Sequence, residues 1–402
     1  MKPHRIALTH ALVSSFKLHK KMQVYGERKA TESELGKYHG EEYLKSLKNF
    51  QREETSDSGD ESSQGCVPIN ADKDCPYFDS VFEFSQLYAG ASIDAAKKLV
   101  NEEVDIAINW AGGLHHARKN KAFGFCYIND IVLAIMELLR YHPRVLYIDI
   151  DVHHGDGVQE AFYMTDRVMT VSFHKYKTPE FFPGTGDIDE IGKGDGKYFS
   201  LNVPLKSGIT DTQYAMLFRP IVQNVIAKYR PTVIVLQCGA DSLYEDLLGD
   251  FQLSLQGHAA CVSYVMSFNL PLLVLGGGGY NMRNVSRCWA NETSVLVNNL
   301  KIDPFEVSPY YPMDTVPTLG KIPEETAYYE FFVNAKGVDK KNRENENQTA
   351  YLNKVLEIVM EQLKIIECSP SVQLKDIPTL FEEDSEELDE DEMEDLFPQK
   401  QT

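Results

Sequence analysis

No apolar stretch in this chain approaches the length of a membrane span, and Met1 to Lys21 lacks the uninterrupted apolar block of a secretion signal. That predicts a soluble, intracellular protein. Cysteine is sparse and scattered: Cys66, Cys75, Cys126, Cys238, Cys261, Cys288 and Cys368 are odd in number and include no close pair at metal-finger spacing. This fits a reducing compartment and predicts no disulfides. Positive charge is in deficit as well. Forty Lys plus Arg stand against sixty Asp plus Glu, a formal charge of −20, which disfavours direct nucleic-acid binding and favours basic partners such as a Lys-rich protein tail. At 402 residues and 43% hydrophobic content, the chain can build one large α/β domain or two smaller ones.

Three segments are unlike a packed core. Residues 51–65 (QREETSDSGDESSQG) read as a polar surface insertion. Lys336 to Gln348 is a charged connector leading to an amphipathic helix with Leu352, Val355, Ile358, Val359 and Leu363 on one face. Phe381 to Asp395 is almost wholly acidic, which predicts a solvated, disordered tail.

Elsewhere short apolar, β-branched runs alternate with longer amphipathic stretches, the pattern of a buried parallel sheet covered by helices. Strands are expected at Val104–Trp110, Val145–Ile150, Val168–Phe173, Phe199–Val203, Val233–Gln237 and Leu272–Leu275, and helices at Ile128–Leu139, Asp211–Tyr229, Leu255–Phe268 and Val285–Asn299. The chemically capable residues fall at the carboxyl ends of these strands. Gly112-Gly113-Leu114-His115-His116 follows the first, Asp149 to Asp156 ends the second, Cys238 to Asp241 the fifth, and Gly276 to Tyr280 the sixth. In open parallel sheets the ligand crevice forms outside those ends, so these segments can converge on one pocket.

Asp149, Asp151 and His153 alternate at period two, which turns two carboxylates and an imidazole to the same side. With Asp241 they can complete a three-ligand site for a divalent cation with a position open to water and substrate. Oxygen-rich ligation of this kind leaves zinc and Fe(II) both chemically allowed. His115 and His116, after a Gly-Gly turn, can serve in proton transfer if carboxylates orient their rings, and Asp149 and Asp156 are the nearby acids.

Quoted in order, GGLHHA (112–117), GFCYIND (124–130), YIDIDVHHGDG (147–157), MTVSFHK (169–175), FFPGTGD (181–187), LQCGADSL (236–243) and LGGGGYN (275–281) resemble the class I histone deacetylases from Met1 to about Pro370. The resemblance implies a single α/β domain of the arginase/deacetylase type, with a central, mostly parallel sheet of about eight strands and helices on both faces. It implies a catalytic domain over 1–370, with the insertion at 51–65, and an acidic tail over 371–402. The implied activity is hydrolysis of N6-acetyl-lysine in histones, repressing transcription in the nucleus with the cytoplasm also allowed. Acetylated histone tails and corepressor subunits would be its partners, without membrane or direct nucleic-acid binding.

Carried over residue by residue, Asp151, His153 and Asp241 would hold one catalytic zinc. His116 would be the general acid-base histidine beside His115, with Asp149 behind His115 and Asp156 behind His116, and the Tyr280 hydroxyl would face the oxyanion. Gly124, Phe125, His154, Phe182, Leu248 and Gly278 would shape the substrate tunnel, and Asp74 would hold the substrate backbone at its rim. Structural potassium is implied at a first site by Asp149, Asp151, His153, Ser172 and Phe173, and at a second by Phe162, Thr165, Val168 and Tyr198. Lys2 and Arg287 match an inositol phosphate pocket, but the family's Gly-Asp-Arg-Leu-Gly loop here reads Glu245-Asp246-Leu247-Leu248-Gly249, which argues against that ligand. Family members also carry a strand and loop ahead of Met-Lys-Pro-His-Arg, so an exposed sheet edge and a weakened rim are expected here. Two other readings compete: a non-catalytic scaffold of a repressor complex, and a ureohydrolase-like enzyme with two manganese ions.

Overall fold

The computed structural model describes residues 3–49, 74–76, 78–298 and 344–366. The expected insertion at 51–65, the acidic tail, Lys2, Cys66 and Cys368 lie outside them. Six runs of apolar residues form six strands: β1 (Ile106–Asn109), β2 (Val145–Asp149), β3 (Val168–Lys175), β4 (Ser200–Leu205), β5 (Val233–Gln237) and β6 (Leu272–Leu275). They pair in the order β1-β6-β5-β2-β3-β4, every pair parallel. The single α/β domain is as expected, whereas the sheet has six strands among the described residues rather than about eight.

Helices cover both faces. On one, α7 (Asp211–Tyr229), α8 (Leu255–Met266), α9 (Met282–Asn298) and α10 (Thr349–Ile365) pack on Leu146, Ile148, Val171, Leu236 and Val274. On the other, α3 (Glu41–Lys48), α4 (Val81–Val100) and α5 (Asp130–Leu138) meet Val145, Tyr147, Val233, Val235 and Leu273. Burial on both faces is why the strands are apolar at successive positions rather than alternately. On α10, Leu352, Val355, Val359 and Leu363 are buried as the spacing predicts, each contributing about 1.5–3 kcal/mol relative to exposure, whereas Ile358 is only half-buried and Leu356 packs on the core instead. Side-chain caps start the helices: Asn129 accepts from the Val132 N–H on α5, and Ser254 accepts from the Gly257 N–H on α8. Two short helices, α2 (Glu32–Leu35) and α6 (Asp156–Ala161), and the longer α1 (His4–Ser15) complete the set used below. No described helix is long and apolar enough to cross a membrane. The five described cysteines are buried free thiols.

Register aligns the strand ends. Asn109 pairs with Leu275, Leu275 with Gln237, Gln237 with Asp149, and Asp149 with Ser172. After β2 the chain moves outward through β3 and β4, then returns to lay β5 on the other side of β2. The strand order therefore reverses between β2 and β5, where a crevice opens at the carboxyl edge.

Candidate active site

The turn after β1 brings the two histidines to this crevice. Gly113 has φ +91°, and a Cβ there would stand 2.2 Å from the Gly276 carbonyl oxygen, so only glycine lets the two loops touch. Asp130, at the start of α5, fixes the turn by accepting the N–H groups of Gly113 (3.0 Å) and Leu114 (2.9 Å). His115 Nδ1 then lies 2.8 Å from Asp149 Oδ2, and His116 Nδ1 lies 2.6 Å from Asp156 Oδ1. Their Nε2 atoms face each other at 3.0 Å. Because each Nδ1 donates to a carboxylate, a contact between two Nε2 atoms needs one proton between them, so one ring is charged and its neighbour neutral. Burial disfavours the charge on both. The carboxylates of Asp149 and Asp151 override it for His115 and raise that ring to about 9. Burial and the charge of His115 hold His116 down at about 4, despite Asp156.

Asp151, His153 and Asp241 come together as their spacing suggested. The first two follow β2, the third follows β5, and one donor atom from each lies within 4.8 Å of the others. His153 Nδ1 is 3.2 Å from Asp151 Oδ1 and 3.1 Å from Asp241 Oδ2. Both aspartates are fully buried. Gln237 Nε2 and the Gly278 N–H donate to Asp151 Oδ2 at 2.9 and 2.8 Å, and the Val152 N–H donates to Asp241 Oδ1 at 2.9 Å. A Cβ on Gly278 would stand 1.9 Å from Asp241 Oδ2, so the cradle requires the bare backbone. Two buried carboxylates around one imidazole create a strong demand for positive charge. Against burial, Asp151 and Asp241 raise His153 to about 10, while burial and the charge of Asp151 push Asp241 upward. Two carboxylate oxygens and an imidazole nitrogen converging in a buried, net-negative pocket fit a divalent cation.

Aromatic rings line the approach. Phe182 stands edge-on to His116 with centroids 5.0 Å apart, Phe181 stacks on His153 at 5.1 Å, and Phe125 meets Tyr280 at 5.8 Å. Gly124 packs against the His116 and Phe182 rings. Tyr280 is held by its N–H to Asp246 Oδ2 at 2.7 Å, while the other oxygen of Asp246 accepts from Leu248 and Gly249. Burial, then the charges of Asp241 and Asp151, raises the Tyr280 phenol well above its ordinary value, so it remains a proton donor.

Not every expected residue joins this group. His154 is fully buried beside His174, with its nitrogens engaged by Thr185 and Gln159. Its ring is therefore turned into the protein and not to the tunnel, and Phe181 takes the place over His153. Asp74 and Leu248 are exposed. Asp149, Asp151, His153, Ser172 and Phe173 gather around the carboxyl ends of β2 and β3. Phe162, Thr165 and Val168 lie before or at the opposite end of β3, and Tyr198 precedes β4. Arg287 is buried on α9, only 6% exposed.

Several site residues had no signal in chain spacing. Gln237 reaches Asp151 only through the β2–β5 register. Arg5 on α1 donates to the carbonyls of Gly279 (2.8 Å) and Gly277 (2.6 Å), holding the loop before Tyr280. Arg118 donates to Asp156 Oδ2 at 3.0 Å, on the far side of the carboxylate from His116.

A cation-binding donor set beside two imidazole–carboxylate pairs and a protonated phenol, all at the switch point of a parallel sheet, defines a hydrolase site. The histone deacetylase domain family matches residues 1–296. Histone deacetylase 1 of Homo sapiens is 49% identical over 384 residues, covering 94% of this chain and 74% of the human protein. The Bos taurus protein of the same name matches equally, and the probable histone deacetylase 1-B of Xenopus laevis is 46% identical over 399 residues, covering 97% of this chain and 77% of its own. The chain belongs to the histone deacetylase family, in its class I branch, and is a lysine deacetylase.

Proposed function

We propose that this protein is a zinc-dependent deacetylase of N6-acetyl-lysine in histone tails, acting in the nucleus within corepressor complexes to repress transcription. The observation that carries the reading is the convergence of Asp151, His153 and Asp241 next to the His115–Asp149 and His116–Asp156 pairs. Asp151, His153 and Asp241 would hold the ion, which when bound supplies Lewis-acid polarisation of the acetamide carbonyl. His116 is neutral at working pH and takes a proton from water as its oxygen attacks the carbonyl carbon. Asp156 keeps the proton on His116 Nδ1, so Nε2 is the nitrogen that accepts, exchanging its 3.0 Å contact with His115 Nε2 for the water. Charged His115 fixes the neighbouring ring and favours its neutral form. Tyr280 donates its hydroxyl proton in a hydrogen bond to the oxyanion. When the C–N bond breaks, His116 returns the proton to the departing lysine amine, leaving acetate. Phe125, Phe181 and Phe182 exclude water around the uncharged four-carbon stem. Asp74 would hold the substrate backbone at the rim. The catalytic domain in this reading spans 1–370 with 371–402 as a tail, and potassium would sit at the two groups around β3.

Among the described residues the site's donors converge on one point, which favours one ion over a manganese pair. Intact histidine–carboxylate pairs weigh against a purely structural scaffold. The test uses full-length protein stripped by a chelator and an acetylated histone-tail peptide. Acetate release should vanish on stripping and return with one equivalent of zinc; restoration requiring two equivalents of manganese would reverse the reading.

A further inference from the structure

Behind the site lies a buried histidine–glutamate pair that the reaction does not use. His258 on α8 and Glu292 on α9 are both fully buried, and His258 Nδ1 bonds to Glu292 Oε1. His258 Nε2 donates to the Gly239 carbonyl at 3.0 Å. Both ring nitrogens therefore face hydrogen-bond acceptors, which favours a doubly protonated ring, and Cys288 Sγ lies 3.5 Å from Nδ1. Burial opposes that charge, and the Cys288 and Glu292 groups beside the ring outweigh burial, raising His258 well above its ordinary value.

A buried ion pair is no more stabilising than apolar side chains of similar volume, so stability alone gives little reason for one here. Its contact does. Gly239 lies two residues before Asp241, and a Cβ on it would stand 1.9 Å from Asp151 Oδ2. Its N–H donates to Gln237 Oε1 at 2.8 Å, and Gln237 Nε2 donates to Asp151 at 2.9 Å. Gly239 thus lies against Asp151 and two residues before Asp241, with its N–H tied to the Asp151 side and its carbonyl accepting from His258 and, at 3.3 Å, from Ser242 Oγ. Trp289, also on α9, braces the preceding residue by donating to the Cys238 carbonyl at 2.8 Å.

We propose that His258 and Glu292 form a positioning dyad that fixes the Gly239 peptide and so sets the separation of Asp151 and Asp241, which determines how tightly the site holds its cation. The dyad acts through backbone and touches neither substrate nor ion. It rests on the metal reading of that site. His258, Cys288 and Glu292 also offer donor atoms within 4.8 Å of one another; a ligand role would replace the bond between His258 Nδ1 and Glu292, and the Cys288 variant below separates the two readings.

The test loads full-length protein with Co2+ and follows its visible absorption during chelator competition. His258→Leu and Glu292→Gln should weaken cobalt retention by about 10–100-fold and shift the absorption band. His258→Gln, which keeps an N–H for Gly239, should recover part of the loss. Val262→Ala, a cavity in the core of α8, lowers stability without touching Gly239 and should leave the spectrum as in wild type. If Val262→Ala weakens retention as much as His258→Leu at matched loss of Tm, or if all variants hold cobalt as wild type does, the dyad has no positioning role. Should His258→Leu not fold, Glu292→Gln decides alone. A second cobalt equivalent lost in Cys288→Ala would overturn the dyad in favour of a ligand cluster, and wild type that binds no cobalt would overturn the metal reading itself.

Discussion

His115 and His116 share a turn and touch through Nε2, yet their partners drive them apart, to about 9 and about 4. Division of labour follows from that split. His116→Ala should lower kcat by about 10^2–10^4-fold with KM little changed, and His115→Ala should cost less, because it removes a neighbour and not the proton carrier. Steady-state kinetics on an acetyl-lysine peptide check this, and equal losses would contradict it. A buried histidine elsewhere gives a pH prediction. His39 accepts the Asn129 N–H at Nε2 and donates from Nδ1 to the Lys119 carbonyl, and burial lowers it to about 4. The unfolded chain takes up this proton near 6.5 and the folded chain does not. The stability it contributes is therefore complete above 6.5 and is lost as pH falls from 6.5 towards 4, on the order of 3 kcal/mol. Urea midpoints between pH 7.5 and 4.5 should fall less steeply in His39→Gln than in wild type. At this scale the sequence exposed the acids and histidines as types, because they cluster at strand ends. It hid Gln237, Asp246, Phe181 and Arg5, since their contacts cross between elements far apart in the chain.

Elements were legible to the extent that burial imposes a pattern. The six strands are covered on both faces and so read as unbroken apolar runs, and α7 and α10 show periodic apolar faces bounded by polar residues. Ends were less legible: β1 is Ile106–Asn109 rather than Val104–Trp110, and α9 begins at Met282, ahead of the expected Val285. The long α4 was not singled out, although it covers β1 and α5. Its Gly90 shows how packing overrides propensity. Exchange for alanine would gain about 1 kcal/mol of helix propensity, but the new Cβ would stand 2.0 Å from the Arg28 carbonyl oxygen and 2.9 Å from the Ala30 nitrogen. That segment is tied to α4 through Gln86, which accepts from the Ala30 N–H and donates to its carbonyl. Gly90→Ala should therefore destabilise the protein by about 1–3 kcal/mol, read as a lower urea midpoint; an unchanged or higher midpoint would show that the segment yields freely.

Over the whole molecule, the order of the strands decides what can meet. Alternating strands and helices indicated a parallel sheet, but nothing in their spacing says that β5 lies against β2 or that β6 lies between β5 and β1. That order places Asp151 and His153 across the switch point from Asp241, and brings the Gly-Gly turn of β1 to the four-glycine loop after β6. The resemblance named Asp151, His153, Asp241, His115 and His116, which gather, and also His154, which turns inward; the sheet supplies the reason the first five can meet. In the proposed reaction these converging groups hydrolyse the acetyl-lysine amide. The most direct measurement is acetate released from an acetylated histone-tail peptide by full-length, zinc-loaded wild type, Asp151→Ala and Tyr280→Phe. Turnover by wild type, a loss of about 10^2–10^3-fold in Tyr280→Phe and none above background in Asp151→Ala is the expected result. Equal rates from all three proteins would contradict it.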